Sequence, residues 1–430
     1  MCHPMIELKI IPALAALALA SACAPNGPEA DPAETATDAA TSAEVAATEP
    51  WSASAEDEEL YGDRFQTLLE AFASGAPTTA YDTLGPVRGA EPERILKTDN
   101  GILSAEAASA IDAYADANNT QALIVLKDDA IIHEAYFHDA DAGTLIVGKS
   151  LAKPLGVIAV GMAIQSGEID SLDEPVAKYI TEWQGTDKDQ ILVRHLLEMR
   201  TGLLPQANAP DKESVLNRAY LHPRHDEVII HEYPLVETPG ARYDYSNANA
   251  ELVAPLIERA TGVQYEDWVA DRILIPLGAK GGEVWMNRPG GTAHAGCCIL
   301  LPARTWLHVA NLVLQDGVVE GQRLLPEGFI AEMITPTPQN SHSAMGVYVG
   351  QPYKEYRGFL NPDIPFGQSY HSEPYIDDDL FLFDGNSNQV IYIIPSKQLI
   401  VLRVGNTPPK DPLWDNAYLA NSVSREFTEN

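Results

Sequence analysis

Basic residues are scarce in this sequence: 28 lysines and arginines stand against 61 aspartates and glutamates, for a formal net charge of −33. A surface this acidic repels phosphate backbones, which excludes nucleic-acid binding as a function class. Cysteine is also scarce, with four residues in 430, too few for a disulfide scaffold or a spaced zinc ribbon. The apolar run at residues 10–20 is too short for a stable membrane anchor. The chain does have enough hydrophobic residues, 45% of the total, to bury a core.

The N-terminus has the features of a targeting segment. Apolar residues 10–20 follow Lys9 and lead into Ser21-Ala-Cys23, so residues 1–22 are predicted to be a signal peptide. The end of this segment has two interpretations. Ala20-Ser-Ala22 is a small-x-small cleavage site, and the whole run resembles the lipobox of bacterial lipoproteins, in which the cysteine is acylated. We expect an exported protein, either in the periplasm or anchored to an envelope membrane only through lipid on Cys23.

Residues 23–60 have the composition of a spacer. Between residues 24 and 60 there are ten acidic residues and no lysine or arginine, and Ala, Pro, Thr and Ser make up most of the rest. Such a segment cannot bury enough apolar surface to offset the entropy of ordering, which predicts a disordered acidic tether. No repeat and no second linker follows, so residues 61–430 are predicted to be one folded domain.

Two predicted β-hairpins lie near opposite ends of this domain. Residues 121–126 and 130–136 flank one turn, and residues 389–395 and 399–404 flank the other. Hairpins so far apart indicate one mostly antiparallel sheet that both ends of the chain complete. Helical patterns lie between them, at residues 153–166, 193–200, 248–261, 265–275 and 305–315. The predicted fold class is α/β: a mostly antiparallel sheet flanked by helices, with an inserted helical region.

Ser150 belongs to two overlapping motifs. Gly143–Ser150 fits the phosphate-loop pattern G-x-x-x-x-G-K-[ST], but the stiff apolar residues 145–147 disfavour a loop that curls around phosphates. Ser150-Leu-Ala-Lys153 instead opens a helix that is apolar on every side and therefore buried. Lys153 lies one turn beyond Ser150 on the same face. There the helix N-terminus stabilises an oxyanion and a partly desolvated lysine can accept a proton, which suits a nucleophile and its base.

Further motifs follow Ser150 in a set order. Tyr245-Ser-Asn247 supplies a Tyr-x-Asn element at a helix start, and residues 385–389 lead into the last hairpin. Residues 194–203, RHLLEMRTGL, are similar to R-H-L-L-x-M-x-S-G-L, and residues 321–326 to G-x-x-L-L-P. In this order, over residues 120–405, the motifs resemble those of the β-lactamase-related serine hydrolases. That group includes class C β-lactamases, DD-peptidases, esterases and 6-aminohexanoate-dimer hydrolases, and it implies a β-lactamase/transpeptidase-like fold.

The resemblance also implies a role for each matching residue. Ser150 would be acylated after Lys153 takes its proton, Tyr245 would complete the proton path to the leaving group, and Asn247 would hold Lys153 or the substrate. The backbone N–H of Gln389 would join that of Ser150 in the oxyanion hole, and Asn386 would border the substrate. The family's third motif, K-T-G or H-x-G, is replaced here by Asn386-Ser-Asn388, which lacks both the cation and the glycine.

Together these features predict an exported serine hydrolase that acts through an acyl-serine intermediate on a small ester or amide, without a cofactor. The altered third motif leaves an alternative, a catalytically inactive β-lactamase-like envelope binding protein. No metal is expected, because His222, His225 and His231 lack the acidic ligands and the spacing of a known zinc site. Cys297 and Cys298 are interpreted as small buried apolar residues, since adjacent cysteines pair only across a strained peptide.

Charge near the third motif predicts a substrate preference. Asn386 replaces the cation with which β-lactamases help to hold a carboxylate, and Asp377–Asp379 and Asp384 precede it. If these carboxylates border the pocket, they repel an anionic substrate. We therefore expect hydrolysis of neutral esters, or of amides with a free amine, in preference to β-lactams.

Overall fold

A computed structural model of the protein describes residues 51–74, 81–207, 209, 211–358, 360–362 and 367–428. Its α-helices are α1 (Ala55–Ser74), α2 (Ala105–Ala117), α3 (Ala152–Ser166), α4 (Val193–Leu197), α5 (Val215–Leu221), α6 (His225–His231), α7 (Asn247–Glu251), α8 (Val253–Thr261), α9 (Tyr265–Val269), α10 (Ala303–Leu314), α11 (Phe329–Met333) and α12 (Tyr418–Arg425). Its strands are β1 (Leu84–Val87), β2 (Lys97–Thr98), β3 (Thr120–Lys127), β4 (Ala130–Tyr136), β5 (Ile146–Val147), β6 (Gly282–Trp285), β7 (Ile299–Leu301), β8 (Val318–Val319), β9 (Gln322–Arg323), β10 (Tyr348–Val349), β11 (Tyr356–Gly358), β12 (Gln368–Tyr370), β13 (Phe381–Gly385), β14 (Gln389–Ile394) and β15 (Leu399–Gly405).

The main sheet joins both ends of the domain. Within the described residues its strand order is β10-β13-β14-β15-β3-β4-β2, and every pairing is antiparallel except that of β2 with β4. The central pairing of β15 with β3 places Val401 opposite Val125. Both predicted hairpins and the predicted closure of the sheet by the two ends of the chain are therefore confirmed.

Both faces of this sheet are buried because β14 and β15 carry apolar residues almost without interruption. Their side chains alternate between two cores, so that Ile391 and Ile393 join one and Val390 and Tyr392 join the other. The first core includes α3 and α10, and the second includes α2 and α12. Helices on both faces of a mostly antiparallel sheet confirm the predicted α/β class.

A smaller sheet, in the order β1-β6-β7-β5, leads the chain to Ser150. In it Ile146 and Val147 pair with Leu301 and Leu300. The N–H of Gly148 donates to the carbonyl of Ile299 at 2.9 Å. Because this stretch is extended and paired, it does not form the curled loop that phosphate binding requires, and the phosphate-loop interpretation of residues 143–150 is wrong.

The inserted helical region forms where the sequence indicates, with breaks that the periodicity does not show. The predicted helix at residues 248–261 is divided at Leu252 into α7 and α8. The predicted helix at residues 265–275 is α9 followed by a π-helical turn at Ala270–Leu274. Helix α8 contacts α3, so the inserted region packs directly on the helix that follows Ser150.

The folded unit begins at Trp51 and not at residue 61. Helix α1 starts within the predicted tether, where Ser54 Oγ accepts a hydrogen bond from the N–H of Asp57 at 3.1 Å and caps the helix. Asp57 then pairs with Arg224 at 2.8 Å and Glu58 with Arg218 at 3.0 Å. The acidic residues that suggested a solvated spacer are thus partners of two arginines far along the chain.

The predicted signal peptide, Cys23 and the rest of the tether to residue 50 lie outside the described residues. Among the residues that the structure describes, no helix is both long and apolar enough to cross a membrane.

Candidate active site

Ser150 lies in a single 3₁₀ turn, Lys149–Leu151, directly before α3. The chain must bend sharply there. A Cβ on Gly148 would lie 2.3 Å from the Trp306 ring, and Lys149 has a left-handed φ of +51°. Helix α3 is buried on all sides from Ala152 to Ala163, as its uniformly apolar sequence predicts. The turn therefore presents a half-buried serine at the N-terminus of a rigid central helix.

Four of the predicted site residues meet at this turn. Ser150 Oγ lies 2.9 Å from Tyr245 Oη and 3.0 Å from Lys153 Nζ. Lys153 Nζ also donates to Asn247 Oδ1 at 3.0 Å and to the carbonyl of Gly296 at 2.7 Å. The structure thus brings Ser150, Lys153, Tyr245 and Asn247 together from two separate parts of the chain, residues 150–153 and 245–247.

Two proton arrangements satisfy the buried Lys153. As an ammonium it has three N–H donors, and it has three acceptors in Ser150 Oγ, Asn247 Oδ1 and the Gly296 carbonyl. The serine hydroxyl then donates to Tyr245 Oη. As a neutral amine, Lys153 keeps its two carbonyl partners and accepts the serine proton, while Tyr245 donates to Ser150 Oγ. Both Lys153 and Tyr245 are therefore placed to take the proton of Ser150.

Backbone contacts fix Tyr245 and Asn247. The N–H of Tyr245 donates to the carbonyl of Leu360, and its carbonyl accepts from the N–H of Gln206, both at 2.9 Å. Asn247 is the first residue of α7. Two residues further along this helix, Asn249 Oδ1 accepts a hydrogen bond from Thr201 Oγ1 at 2.8 Å. The motif at residues 194–203 thus anchors the helix that carries the Tyr-x-Asn element.

The third motif differs from the sequence interpretation. A Cβ on Gly385 would lie 3.0 Å from the Gly148 carbonyl oxygen and 3.1 Å from the backbone nitrogen of Ser150, so strand β13 approaches the serine turn at a glycine. The motif does contain a glycine, one position earlier than Asn386-Ser-Asn388. Asn386 lines the same cavity as Ser150.

Gln389 is not brought to the site. It is 1% exposed, its side chain accepts from the N–H of Gly405 at 2.8 Å, and it is absent from the residues that line the cavity. Gly385, Asn386 and Ser387 line the cavity in its place. The strand's contribution to an oxyanion hole is therefore better placed at the backbone of Gly385–Asn386.

Ser150 opens into a cavity of about 530 Å³. One part of its wall is polar, with the amides of Asn247, Gln368 and Asn386, and another part is apolar and aromatic. The apolar and aromatic lining residues are Tyr348, Leu360, Tyr370, Leu413 and Trp414. A lining that mixes apolar surface with a few polar groups can hold an uncharged chain and orient polar groups.

The sequence matches a known family. The sequence profile of the β-lactamase family matches residues 108–423. The chain belongs to the β-lactamase family. It is 25% identical over 272 residues to the 6-aminohexanoate-dimer hydrolase of Paenarthrobacter ureafaciens, an alignment that covers 60% of this chain and 67% of that protein.

Solved structures show the same fold. A Bacillus anthracis protein assigned as a 6-aminohexanoate-dimer hydrolase superposes with a TM-score of 0.60 at 15% identity, over 85% of this chain and 92% of its own. A Bacteroides dorei protein assigned as a β-lactamase superposes with a TM-score of 0.58 at 18% identity, over 75% and 97%. Family and relatives together indicate a hydrolase of the β-lactamase superfamily.

Arg403 is a positioning residue of this β-lactamase-family site that the sequence analysis missed. It is fully buried, and its Nη1 donates to the carbonyls of Ser387 at 2.8 Å and Asn388 at 3.0 Å. Both of those residues have left-handed φ angles, 64° and 56°, so the turn after Gly385 is held in an uncommon conformation by the guanidinium. Burial lowers the pKa of Arg403 to about 10, which leaves it charged at neutral pH. The sequence did carry a signal for this role, because Arg403 is a charged residue within an otherwise apolar strand.

The aspartates before Asn386 do not give the cavity the negatively charged border that the sequence predicts. Asp377 is buried and pairs with Lys397 at 2.9 Å, and Asp379 accepts from the N–H and hydroxyl of Ser396. Asp384 lines the cavity but is paired with the buried Arg357. Because these carboxylates are turned away or neutralised, the premise that they repel an anionic substrate is wrong.

Three buried groups near the β-lactamase-family site form an unexpected cluster: His225, Glu251 and His294. Their nearest ligand atoms all lie within 4.8 Å of one another, and Glu251 and His294 supply the partners that the sequence analysis found missing. The two imidazoles are nevertheless stacked, with centroids 4.0 Å apart and planes 11° apart. His225 Nε2 and His294 Nδ1 each lie 3.6 Å from the same oxygen of Glu251. The absence of a metal requirement stays a prediction.

Cys297 and Cys298 are buried, as expected, but they are joined to each other by a disulfide. The interpretation of two unpaired small residues is wrong in that respect. Cys297 lines the cavity, and a thiol there could compete with Ser150 as a nucleophile. A disulfide sulfur carries no thiolate, so Cys297 offers no competing thiolate nucleophile in this state.

Proposed function

We propose that this protein is an exported serine hydrolase that acts through an acyl-serine intermediate on a small ester or amide. The observation that carries the proposal is the hydrogen-bonded set of Ser150, Lys153 and Tyr245 at the wall of a cavity. A serine within hydrogen-bonding distance of two candidate bases, at the N-terminus of a buried helix, is the arrangement that nucleophilic catalysis requires.

In the proposed reaction Ser150 Oγ attacks the substrate carbonyl while its proton passes to Lys153 or Tyr245. The negative charge on the former carbonyl oxygen is stabilised by the N–H of Ser150, with a second donor from the backbone of Gly385–Asn386. Tyr245 returns the proton to the leaving alcohol or amine, which breaks the ester or amide bond and leaves an acyl-serine. A water molecule, deprotonated by the same pair, then attacks the acyl-serine and releases the acid.

The cavity supports a substrate of modest size. Its volume of about 530 Å³ lies in the lower half of the range for small-molecule sites. Tyr370, Leu413 and Trp414 offer apolar surface to an acyl chain or an aromatic leaving group.

A fluorophosphonate probe followed by a substrate panel tests the proposal. We expect one covalent adduct per chain by intact-mass spectrometry, and turnover of at least one member of a panel of short p-nitrophenyl esters, anilides and nitrocefin. The alternative function, an inactive binding protein, predicts no adduct with the probe and no turnover with any member of the panel. That result would refute the proposed activity.

The export part of the proposal rests on residues 1–23 and has a test of its own. We expect wild-type protein made in a Gram-negative host to fractionate with membranes, because an acylated Cys23 inserts its lipid. Cys23→Ser should move it to the soluble periplasmic fraction. If the fractionation does not change, the lipid anchor is refuted, and a soluble wild-type protein in the periplasm favours cleavage after Ala22.

A further inference from the structure

The charge of the active-site cavity contrasts with that of the whole chain. The protein carries a formal net charge of −33, yet among the described residues only Lys149 and Asp384 bring charged side chains to the cavity wall. Lys153 is a further cation near the site, but its amine is engaged with Ser150, Asn247 and Gly296. Apart from Lys153, the preference for an anionic, neutral or cationic substrate therefore depends on how these two charges are compensated.

Asp384 is compensated within the protein. The Arg357 guanidinium contacts its carboxylate, and the two side chains are only 4% and 13% exposed. Burial raises the pKa of Asp384, and the positive charge of Arg357 opposes that shift. In either protonation state Asp384 and Arg357 together contribute no net negative charge to the cavity.

Lys149 is not compensated in the same way. Its Nζ donates to Tyr81 Oη at 3.0 Å, a neutral partner, and no ion pair of Lys149 occurs among the described residues. It is half-buried, it directly precedes Ser150, and it lines the cavity. A cation therefore lies beside the reactive serine. The tyrosine that accepts its hydrogen bond lies outside the region matched by the family profile.

The backbone at this position adds a second observation. Lys149 has a φ of +51°, a conformation that glycine adopts without cost and other residues adopt with strain. Lys149 is therefore a lysine at a strained position beside the nucleophile; it lines the cavity, and its amine is held by Tyr81.

We infer that Lys149 forms an anion-binding subsite and that the natural substrate is an ester or amide bearing a carboxylate. Lys149 takes the place of the cation that the third motif lacks, from the serine turn that the third motif approaches. The inference rests on the proposed function and replaces the sequence-based expectation of a neutral or amine-bearing substrate. A charge pair at contact distance in a partly solvated site favours the anionic substrate about tenfold.

Matched substrate pairs test this subsite. One pair is mono-p-nitrophenyl glutarate and its methyl ester, which differ in acyl-side charge. The other is 4-acetoxybenzoate and its methyl ester, which differ in leaving-group charge. We expect wild-type protein to prefer the carboxylate member of at least one pair by about tenfold in kcat/KM, with the preference shrinking as salt increases.

Two variants of equal backbone strain complete the design. Lys149→Met keeps the chain length without the charge and should remove the preference, whereas Lys149→Arg keeps the charge and should retain most of it. Thermal melts show whether each variant is folded. Tyr81→Phe removes only the hydroxyl that positions Nζ and should give an intermediate preference.

The outcomes separate this inference from the proposed function. If Ser150 is acylated and the methyl esters turn over, but wild type shows no preference for a carboxylate, the subsite is refuted and the hydrolase stands. The subsite is also refuted if the preference for the carboxylate survives in Lys149→Met. It is refuted as well if Lys149→Met lowers kcat/KM equally for both members of a pair. If no ester acylates Ser150, both proposals fail.

Discussion

Ser150→Ala is expected to abolish covalent labelling and to reduce ester turnover by at least about 10⁴-fold. The substitution removes the one atom that forms the acyl bond, and neither Lys153 nor Tyr245 can replace it. The fold should survive, because alanine is a good helix former and the lost hydroxyl is half-buried, with two side-chain partners among the described residues. The melting temperature should change by a few degrees at most, and labelling, turnover and melting measured on one preparation check this expectation.

Ser166→Ala supplies the matched control at the other end of the same helix. Ser166 Oγ donates to the carbonyl of Met162 at 2.7 Å, and it takes no part in the cavity. We expect full labelling and near-wild-type turnover from this variant. A fluorophosphonate adduct that persists in Ser150→Ala would show that another residue is the nucleophile.

The parts of this structure that depend on local sequence could be predicted. The two hairpins follow from alternating apolar residues around short polar turns, and α3 follows from an apolar run behind Ser150. The three-residue spacing of Ser150 and Lys153 places them on one helix face, where the structure finds them 3.0 Å apart. Tyr245 and Asn247 could be placed only because their order after Ser150 resembles that of a known family.

The parts that depend on distant pairing could not be predicted. Lys153 is completed by the carbonyl of Gly296, 143 residues away, and a backbone acceptor leaves no mark in the sequence. Arg357 and Asp384 look like ordinary surface charges until the fold buries them together. The acidic start of α1 has a spacer's composition, and only its pairing with Arg218 and Arg224 makes it part of the domain.

The third-motif error has a similar cause. Counting from the hairpin, the sequence placed the motif at Asn386-Ser-Asn388 and its oxyanion donor at Gln389. In the fold, the strand passes close to Ser150 at Gly385, where a Cβ would lie 3.1 Å from the serine nitrogen. The turn that follows is shaped by Arg403, which comes 15 residues after Asn388. A shift of a few residues at a turn therefore changes which backbone N–H faces the substrate.

Lys153→Met and Tyr245→Phe are each expected to lower kcat by about a hundredfold or more. Lys153→Met retains the packing of the side chain and removes the amine that contacts Ser150, Asn247 and Gly296. Tyr245→Phe retains the ring and removes only the hydroxyl 2.9 Å from Ser150 Oγ. Because Lys153→Met leaves two buried carbonyl groups without a donor, it should also lower the free energy of unfolding by about 2 kcal/mol. Rates are therefore measured well below its melting temperature.

The double variant decides whether the two residues act on one proton. If Lys153 and Tyr245 pass the same proton from Ser150 to the leaving group, removing the second costs little once the first is gone, so the combined loss falls well short of the product of the single losses. Independent roles predict losses that multiply. Tyr243→Phe is the control for losing a tyrosine hydroxyl nearby, since Tyr243 is buried beside Tyr245 but does not line the cavity. Near-wild-type kcat in folded Lys153→Met would show that Lys153 is not the base, and a large loss in Tyr243→Phe would show that the effect of Tyr245→Phe is structural.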